Sequence, residues 1–156
     1  DPAYLDGTAI RLQTILTRLQ ETKAREVLAV MDSCFSGAGG RSVLPPGARA
    51  LVRVQAQPTA ARLALFSAAS GTETSGPAPG VPEGLFTQKI LEGLGRGQAD
   101  TNGDGQVTLE ELHTWVQPRV TREAKRDNRD QTPSLSLGNN VGKANDFIVA
   151  WGLATQ

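Results

Sequence analysis

Residues 27–31 (VLAVM) form an unbroken apolar run that stops at Asp32. Five residues is strand length, and a strand apolar at every position rather than at alternate ones is covered on both faces. Such a strand belongs inside a sheet flanked by helices, and the neighbouring pattern agrees. Leu12, Ile15, Leu16 and Leu19 fall at i, i+3, i+4 and i+7, which predicts an amphipathic helix within residues 8–20, with Asp6 or Thr8 as its cap. A second apolar run at residues 63–67 (LALFS) predicts another strand, and residues 51–54 read as an edge strand or a loop.

Further along, Phe86, Ile90 and Leu94 give helical spacing that Gly95 and Gly97 stop. Leu109, Leu112 and Val116 form the apolar face of another helix beginning near Thr108. Pro118 is expected to kink or end it before the charged residues 121–130, because proline lacks the helical N–H donor. Between residues 69 and 84 stand Gly71, Gly76, Pro77, Pro79, Gly80, Pro82 and Gly84, the composition of a surface loop of the kind that borders binding sites. Beyond Gln131 the chain is polar except for an apolar patch at residues 147–151. Two strand-and-helix units in succession predict an α/β fold.

At 156 residues the chain suffices for one domain. Its sixteen basic and sixteen acidic residues cancel, so net charge points to neither nucleic acid nor an anionic membrane as partner. No stretch approaches the roughly 18 apolar residues of a membrane span, and residues 1–20 lack the order of a signal peptide. The expectation is a soluble protein, with a reducing, cytoplasmic setting favoured by the single cysteine.

That cysteine, Cys34, follows the first strand by three residues in VLAVMDSCFSGAGG, at the carboxyl end where open α/β sheets carry their sites. An isolated cysteine is usually a small buried hydrophobe. Here the flank is polar and glycine-rich, and Gly37, Gly39 and Gly40 allow backbone amides close to a substrate oxyanion.

The hexapeptide Asp32-Ser33-Cys34-Phe35-Ser36-Gly37 resembles the nucleophile motif of metacaspases and bacterial caspase-like cysteine proteases. The resemblance continues through Leu65-Phe66-Ser67-Ala68-Ala69 with Glu73-Thr74-Ser75, Gly84-Leu85-Phe86-Thr87 and Gln131-Thr132-Pro133, and covers most of residues 2–135. It implies the C-terminal portion of a caspase-like three-layer αβα sandwich with a mostly parallel sheet. Residues 1–54 would close a large-subunit-like region, 55–60 form a linker or processing site, 61–135 a small-subunit-like region, and 136–156 a C-terminal extension.

The implied activity is endopeptidase cleavage of a peptide or protein substrate by a Cys/His dyad, with Cys34 as nucleophile. Caspases carry the histidine about 50 residues before the cysteine. Only 33 residues precede Cys34, so the histidine is expected upstream of Asp1, on an N-terminal large-subunit fragment that would be a partner. The one histidine, His113, lies in the predicted helix after Thr108 and is read as a polar surface or helix-face residue. Without its base, a thiol near pKa 8.5 is only a few per cent thiolate at neutral pH, so this chain alone is expected to be nearly inactive. The resemblance also implies that Asp32 lines the S1 pocket and selects Arg or Lys at P1, with Ser67 and Glu73 bordering the pocket; the competing role for Asp32 is a loop cap or structural acceptor.

Residues 100–111 (DTNGDGQVTLEE) fit a twelve-residue EF-hand loop. Asp100, Asn102, Asp104, the Gln106 carbonyl, Thr108 and Glu111 take the ligand positions for Ca²⁺, and Gly105 makes the turn. Two readings stand: a calcium site, or an Asx-rich turn that caps and orients the following helix. Arg41 speaks against the separate acidic cluster through which some metacaspases bind calcium. The alternatives to a protease are an inactive caspase-like scaffold and a calcium-binding interaction module.

Overall fold

A computed structural model describes residues 10, 12–32, 62–70, 73, 75–78, 83–139 and 141–151. Among them it is a mixed α/β structure of three α-helices and two small sheets. In chain order these are α1 (Leu12–Gln20), β1 (Val27–Met31), β2 (Leu63–Ser67), α2 (Leu85–Gly95), β3 (Gln106–Thr108), α3 (Leu109–Arg126), β4 (Ser134–Leu137) and β5 (Ile148–Trp151), with a 3₁₀ turn at Ala144–Asp146. No helix among the described residues is long and apolar enough to cross a membrane.

Both runs form strands, but only residues 63–67 are covered on both faces: no residue of β1 is fully buried and Val30 is 46% exposed, so the expectation that β1 is buried on both faces is corrected. β1 and β2 pair in parallel, Val27 opposite Leu63 through Met31 opposite Ser67. β4 adds antiparallel to the other edge of β2, giving the order β1-β2-β4. Where a mostly parallel sheet was expected, this one is mixed, and a second sheet pairs β3 with β5 antiparallel. The reason lies in the connections. β4 follows α3 through a tight turn and returns beside β2 head to tail, whereas β1 and β2 are separated by more than the dozen residues that a parallel crossover needs. The expected element at residues 51–54 and the linker at 55–60 lie outside the described residues.

Side chains alternate along a strand, so Ala64 and Phe66 face one way and Leu63 and Leu65 the other. All four are buried, as an apolar run covered on both faces requires. The Phe66 side carries the larger cluster, in which Phe66 meets Phe86 of α2 edge to face at 4.7 Å, with Leu112, Trp115, Val116, Val120 and Ala124 of α3 around them. A second cluster of Ala64, Leu109, Val141, Ala144 and Phe147 joins it through Leu28, Leu135 and Val149. The stretch expected as a C-terminal extension therefore supplies β5 and part of the core. In α1, Leu16 is buried, but Ile15 is 43% exposed although it falls on the predicted apolar face.

Helix α3 corrects one expectation: it runs through Pro118 to Arg126. An interior proline costs about 3 kcal/mol through the lost hydrogen bond and its ring contact. Pro118 and Thr114, whose carbonyl loses its donor, are both exposed, so water can serve that carbonyl. On the opposite face Val116, Val120 and Ala124 are fully buried, each worth more in the helix than out of it. The helix ends in a Schellman-type turn, with Asn128 at φ 51°, Arg129 N–H donating to Ala124 O and Asn128 N–H to Lys125 O. This turn directs residues 129–133 back towards the end of β2.

Candidate functional site

Because Met31 is opposite Ser67, the chain leaves the parallel pair at Asp32 and Ala68 side by side, with Ala68 N–H donating to Met31 O at 2.9 Å. This is the carboxyl end of the parallel strands, where α/β sheets open a crevice. Cys34 follows two residues later and lies outside the described residues.

Asp32 is exposed, and its Oδ2 accepts hydrogen bonds from Thr87 Oγ1 at 2.6 Å and Thr87 N–H at 3.2 Å. Thr87 is the third residue of α2, whose N-cap is Gly84 and offers no side chain. Asp32, 55 residues earlier in the chain, therefore does the capping, with its charge at the positive end of the helix dipole. Gly84 has ordinary extended backbone, φ −66° and ψ 150°, so conformation does not demand glycine. Proximity does, since a β-carbon there would overlap Asp32 Oδ2. The strand end and the start of α2 are thus locked together, with the carboxylate open to solvent.

Glu73 is used differently. Its Oε2 accepts from Ser70 N–H, Ser70 Oγ and Thr132 N–H, the last at 2.6 Å, and its Oε1 accepts from Thr132 Oγ at 2.9 Å. Both oxygens are occupied in tying Ser70 and Glu73 to Thr132. Ser67 is half-buried at the end of β2, and its hydroxyl has no hydrogen-bond partner among the described residues.

Residues that were not singled out as site residues complete the strand end. Gln131 is fully buried; its Nε2 donates to Ala68 O at 3.1 Å and its Oε1 accepts from Gly76 N–H at 3.2 Å. Thr121 Oγ1 of α3 donates to the Gln131 carbonyl at 3.0 Å. Pro77 and Gly84 form an isolated antiparallel bridge, and Leu85 N–H donates to Gly76 O. Gln131, Glu73 and Asp32 thus pin three segments around the exit of β1 and β2. The one available signal was a glutamine and a threonine beside a proline, and only their distant partners reveal its use.

His113 is half-buried on α3, edge-on to Phe66 at 5.7 Å, and its Nε2 is buried without a partner. It packs as a core-facing helix residue.

Residues 100–111 form a self-contained turn. Asp100 accepts from Gly103 and Gly105 N–H, Asn102 from Asp104 N–H, and Asp104 from Gln106 N–H, all at 2.8–2.9 Å. Gly103 and Gly105 take φ of 74° and 81°, which favour glycine. Val107 is buried and pairs with Ala150, while Thr108 and Glu111 make a capping box at the start of α3. Glu111 Oε2 accepts from Thr108 N–H and Oγ1, and its Oε1 from Thr101 N–H and Oγ1. Partial burial pushes the Glu111 carboxyl up, but these bonds from Thr108 and Thr101 outweigh it and hold the group below the usual glutamate range. The oxygen donors suit a hard cation in number and kind. Yet no three Asp, Glu, His or Cys side chains converge among the described residues, and Glu111 is committed to the helix cap.

Comparison of the chain with protein-family models, with curated proteins and with solved structures gives no match.

Proposed function

We propose that the chain carries the nucleophile half of a caspase-like cysteine endopeptidase of the metacaspase type, with Cys34 attacking the scissile carbonyl and Asp32 selecting Arg or Lys at P1. The observation that carries this reading is Asp32 itself. A solvent-facing carboxylate stands at the carboxyl end of a parallel strand pair, two residues before the thiol, and is held there by Thr87. In the reaction a histidine supplied upstream of Asp1 takes the thiol proton as Cys34 Sγ bonds to the carbonyl carbon, backbone amides of the glycine-rich stretch after it stabilise the oxyanion, and the C–N bond breaks as the same histidine passes that proton to the departing amine. Water then hydrolyses the thioester. The parallel β1-β2 pair with antiparallel β4 and α2 and α3 on one face supports membership of a larger αβα sandwich. Glu73, with both oxygens hydrogen-bonded, is a wall brace in this scheme rather than a charge offered to substrate.

The decisive experiment expresses the protein together with the sequence that precedes Asp1. It is assayed with fluorogenic peptides bearing Arg, Lys or Asp at P1, alongside Cys34→Ala and Asp32→Asn. Cleavage after Arg and Lys, abolished by Cys34→Ala and weakened selectively by Asp32→Asn, is the expected result. Equal turnover by wild type and Cys34→Ala rejects the reading, and preferred cleavage after Asp rejects the pocket assignment.

A second reading, an inactive scaffold, draws on the same hydrogen bonds. Asp32 and Glu73 both serve internal donors, which is what a framework without catalysis needs. No turnover of any of the three peptides by protein whose thiol alkylates at an ordinary rate supports it.

A further inference from the structure

Zero net charge conceals a concentrated basic surface. Arg119, Arg122 and Arg126 stand at i, i+3 and i+7 on α3, one face of the helix spanning about 10 Å. Together with Lys89 they line a cleft of about 240 Å³ between α2 and α3, floored by Trp115. Among the described residues the only carboxylates in its lining, Glu92 and Glu123, both bind Lys89, at 3.1 and 3.2 Å. None of the three arginines has a carboxylate partner among the described residues. Arg126 sits in the last turn, where the helix dipole favours a cation. Arg122, a turn earlier, has less of that compensation, and like charges at this spacing destabilise a helix.

We propose that this cleft docks an acidic polypeptide segment, its carboxylates pairing with Arg119, Arg122 and Arg126. Two features favour a peptide over a nucleic acid. Arg119 lies over the Trp115 ring at 4.1 Å and donates to the Trp115 carbonyl at 2.8 Å, so that face of the indole is covered and offers no platform for a base. Glu92 and Glu123 interrupt the basic row and would repel a continuous phosphate backbone, whereas a peptide whose carboxylates alternate with neutral residues can avoid them. The planar guanidinium is suited to paired hydrogen bonds with a carboxylate. The proposal rests on the α2–α3 surface alone and is independent of the protease reading.

The test is fluorescence anisotropy of a labelled peptide of alternating Glu and Ser, titrated with the whole chain at low and physiological salt. Controls are the matching Lys-Ser peptide and a labelled oligothymidylate. Arg122→Ala/Arg126→Ala and Arg122→Glu/Arg126→Glu, each checked for a wild-type circular dichroism spectrum, report on the cleft, because both side chains are exposed and make no internal bond among the described residues. Binding of the acidic peptide, weakened by salt, reduced about fivefold by the alanine pair and further by the glutamate pair, is expected. No binding of the acidic peptide at low salt, binding indifferent to both double variants, or tighter binding of the oligothymidylate overturns the proposal.

Discussion

Gln131 offers the sharpest test of how the strand end is held. It is fully buried and joins Ala68 O, where β2 leaves the sheet, to Gly76 N–H in the loop that precedes α2. Gln131→Leu keeps nearly the same shape but leaves one buried acceptor and one buried donor without partners. Each such orphan costs about 1–3 kcal/mol, and the apolar gain of leucine offsets only part, so a net loss of about 2–4 kcal/mol is expected. That is a large share of the 5–15 kcal/mol typical of a domain. Gln131→Glu separates the two bonds. Its carboxylate can still accept from Gly76 but sets a charged oxygen against the Ala68 carbonyl, and an unpaired buried charge costs several kcal/mol. Protonated, the same group donates to Ala68 O and accepts from Gly76 N–H, restoring both bonds. Its folded-state pKa must then lie above the unfolded value of about 4.3, so the variant is near wild type below that pH and loses stability as pH rises from there to the folded pKa. Urea unfolding followed by circular dichroism, each variant against wild type between about pH 4 and pH 7, measures this directly. Gln131→Leu within about 0.5 kcal/mol of wild type, or a Gln131→Glu deficit independent of pH, would refute the reasoning.

The close approach of Asp32 to Gly84 predicts coupling: Gly84→Ala and Asp32→Ala should each cost about 1 kcal/mol by breaking the remote cap of α2, and the Gly84→Ala cost should shrink once Asp32 is already alanine. Additive costs in a double-mutant cycle would show that Asp32 does not cap α2. At the other helix, Thr108→Ala should cost about 1 kcal/mol in the same unfolding assay. Because Glu111 is held below the ordinary glutamate range, its contribution is present above the unfolded pKa and lost as pH falls through the folded one, so the stability gap between wild type and Glu111→Gln should close on acidification. A gap that stays constant or widens contradicts the hydrogen-bond assignment. Calcium must draw Glu111 away from Thr108 and Thr101, so calorimetry should give a Kd of about 10⁻⁴ M or weaker, abolished by Asp100→Ala. Submicromolar binding would show that the cap does not compete.

The elements legible in the chain were those set by local pattern. Val27–Met31 and Leu63–Ser67 appear as strands because the first run is apolar throughout and the second is apolar up to its last residue, Ser67, and α2 appears where Phe86, Ile90 and Leu94 repeat at helical spacing. The turn over residues 100–111 is equally local, since its Asx bonds span two to five residues and its glycines occupy left-handed positions. What tertiary contact decided is of another kind. Pro118 stays helical because burial of Val116 and Val120 outweighs a lost bond that faces water, a balance no propensity contains. The antiparallel return of β4 and the pairing of β3 with β5 depend on where α3 delivers the chain. The partners of Asp32, Glu73 and Gln131 lie 55 to 63 residues away, so the use of each polar side chain became visible only when the sheet had brought its donor or acceptor within 3.2 Å. Apolar periodicity acts over one turn of helix or two residues of strand and is written in the chain itself. A buried polar bond is chosen by whichever complementary group the packed fold leaves unsatisfied, and that choice exists only in three dimensions.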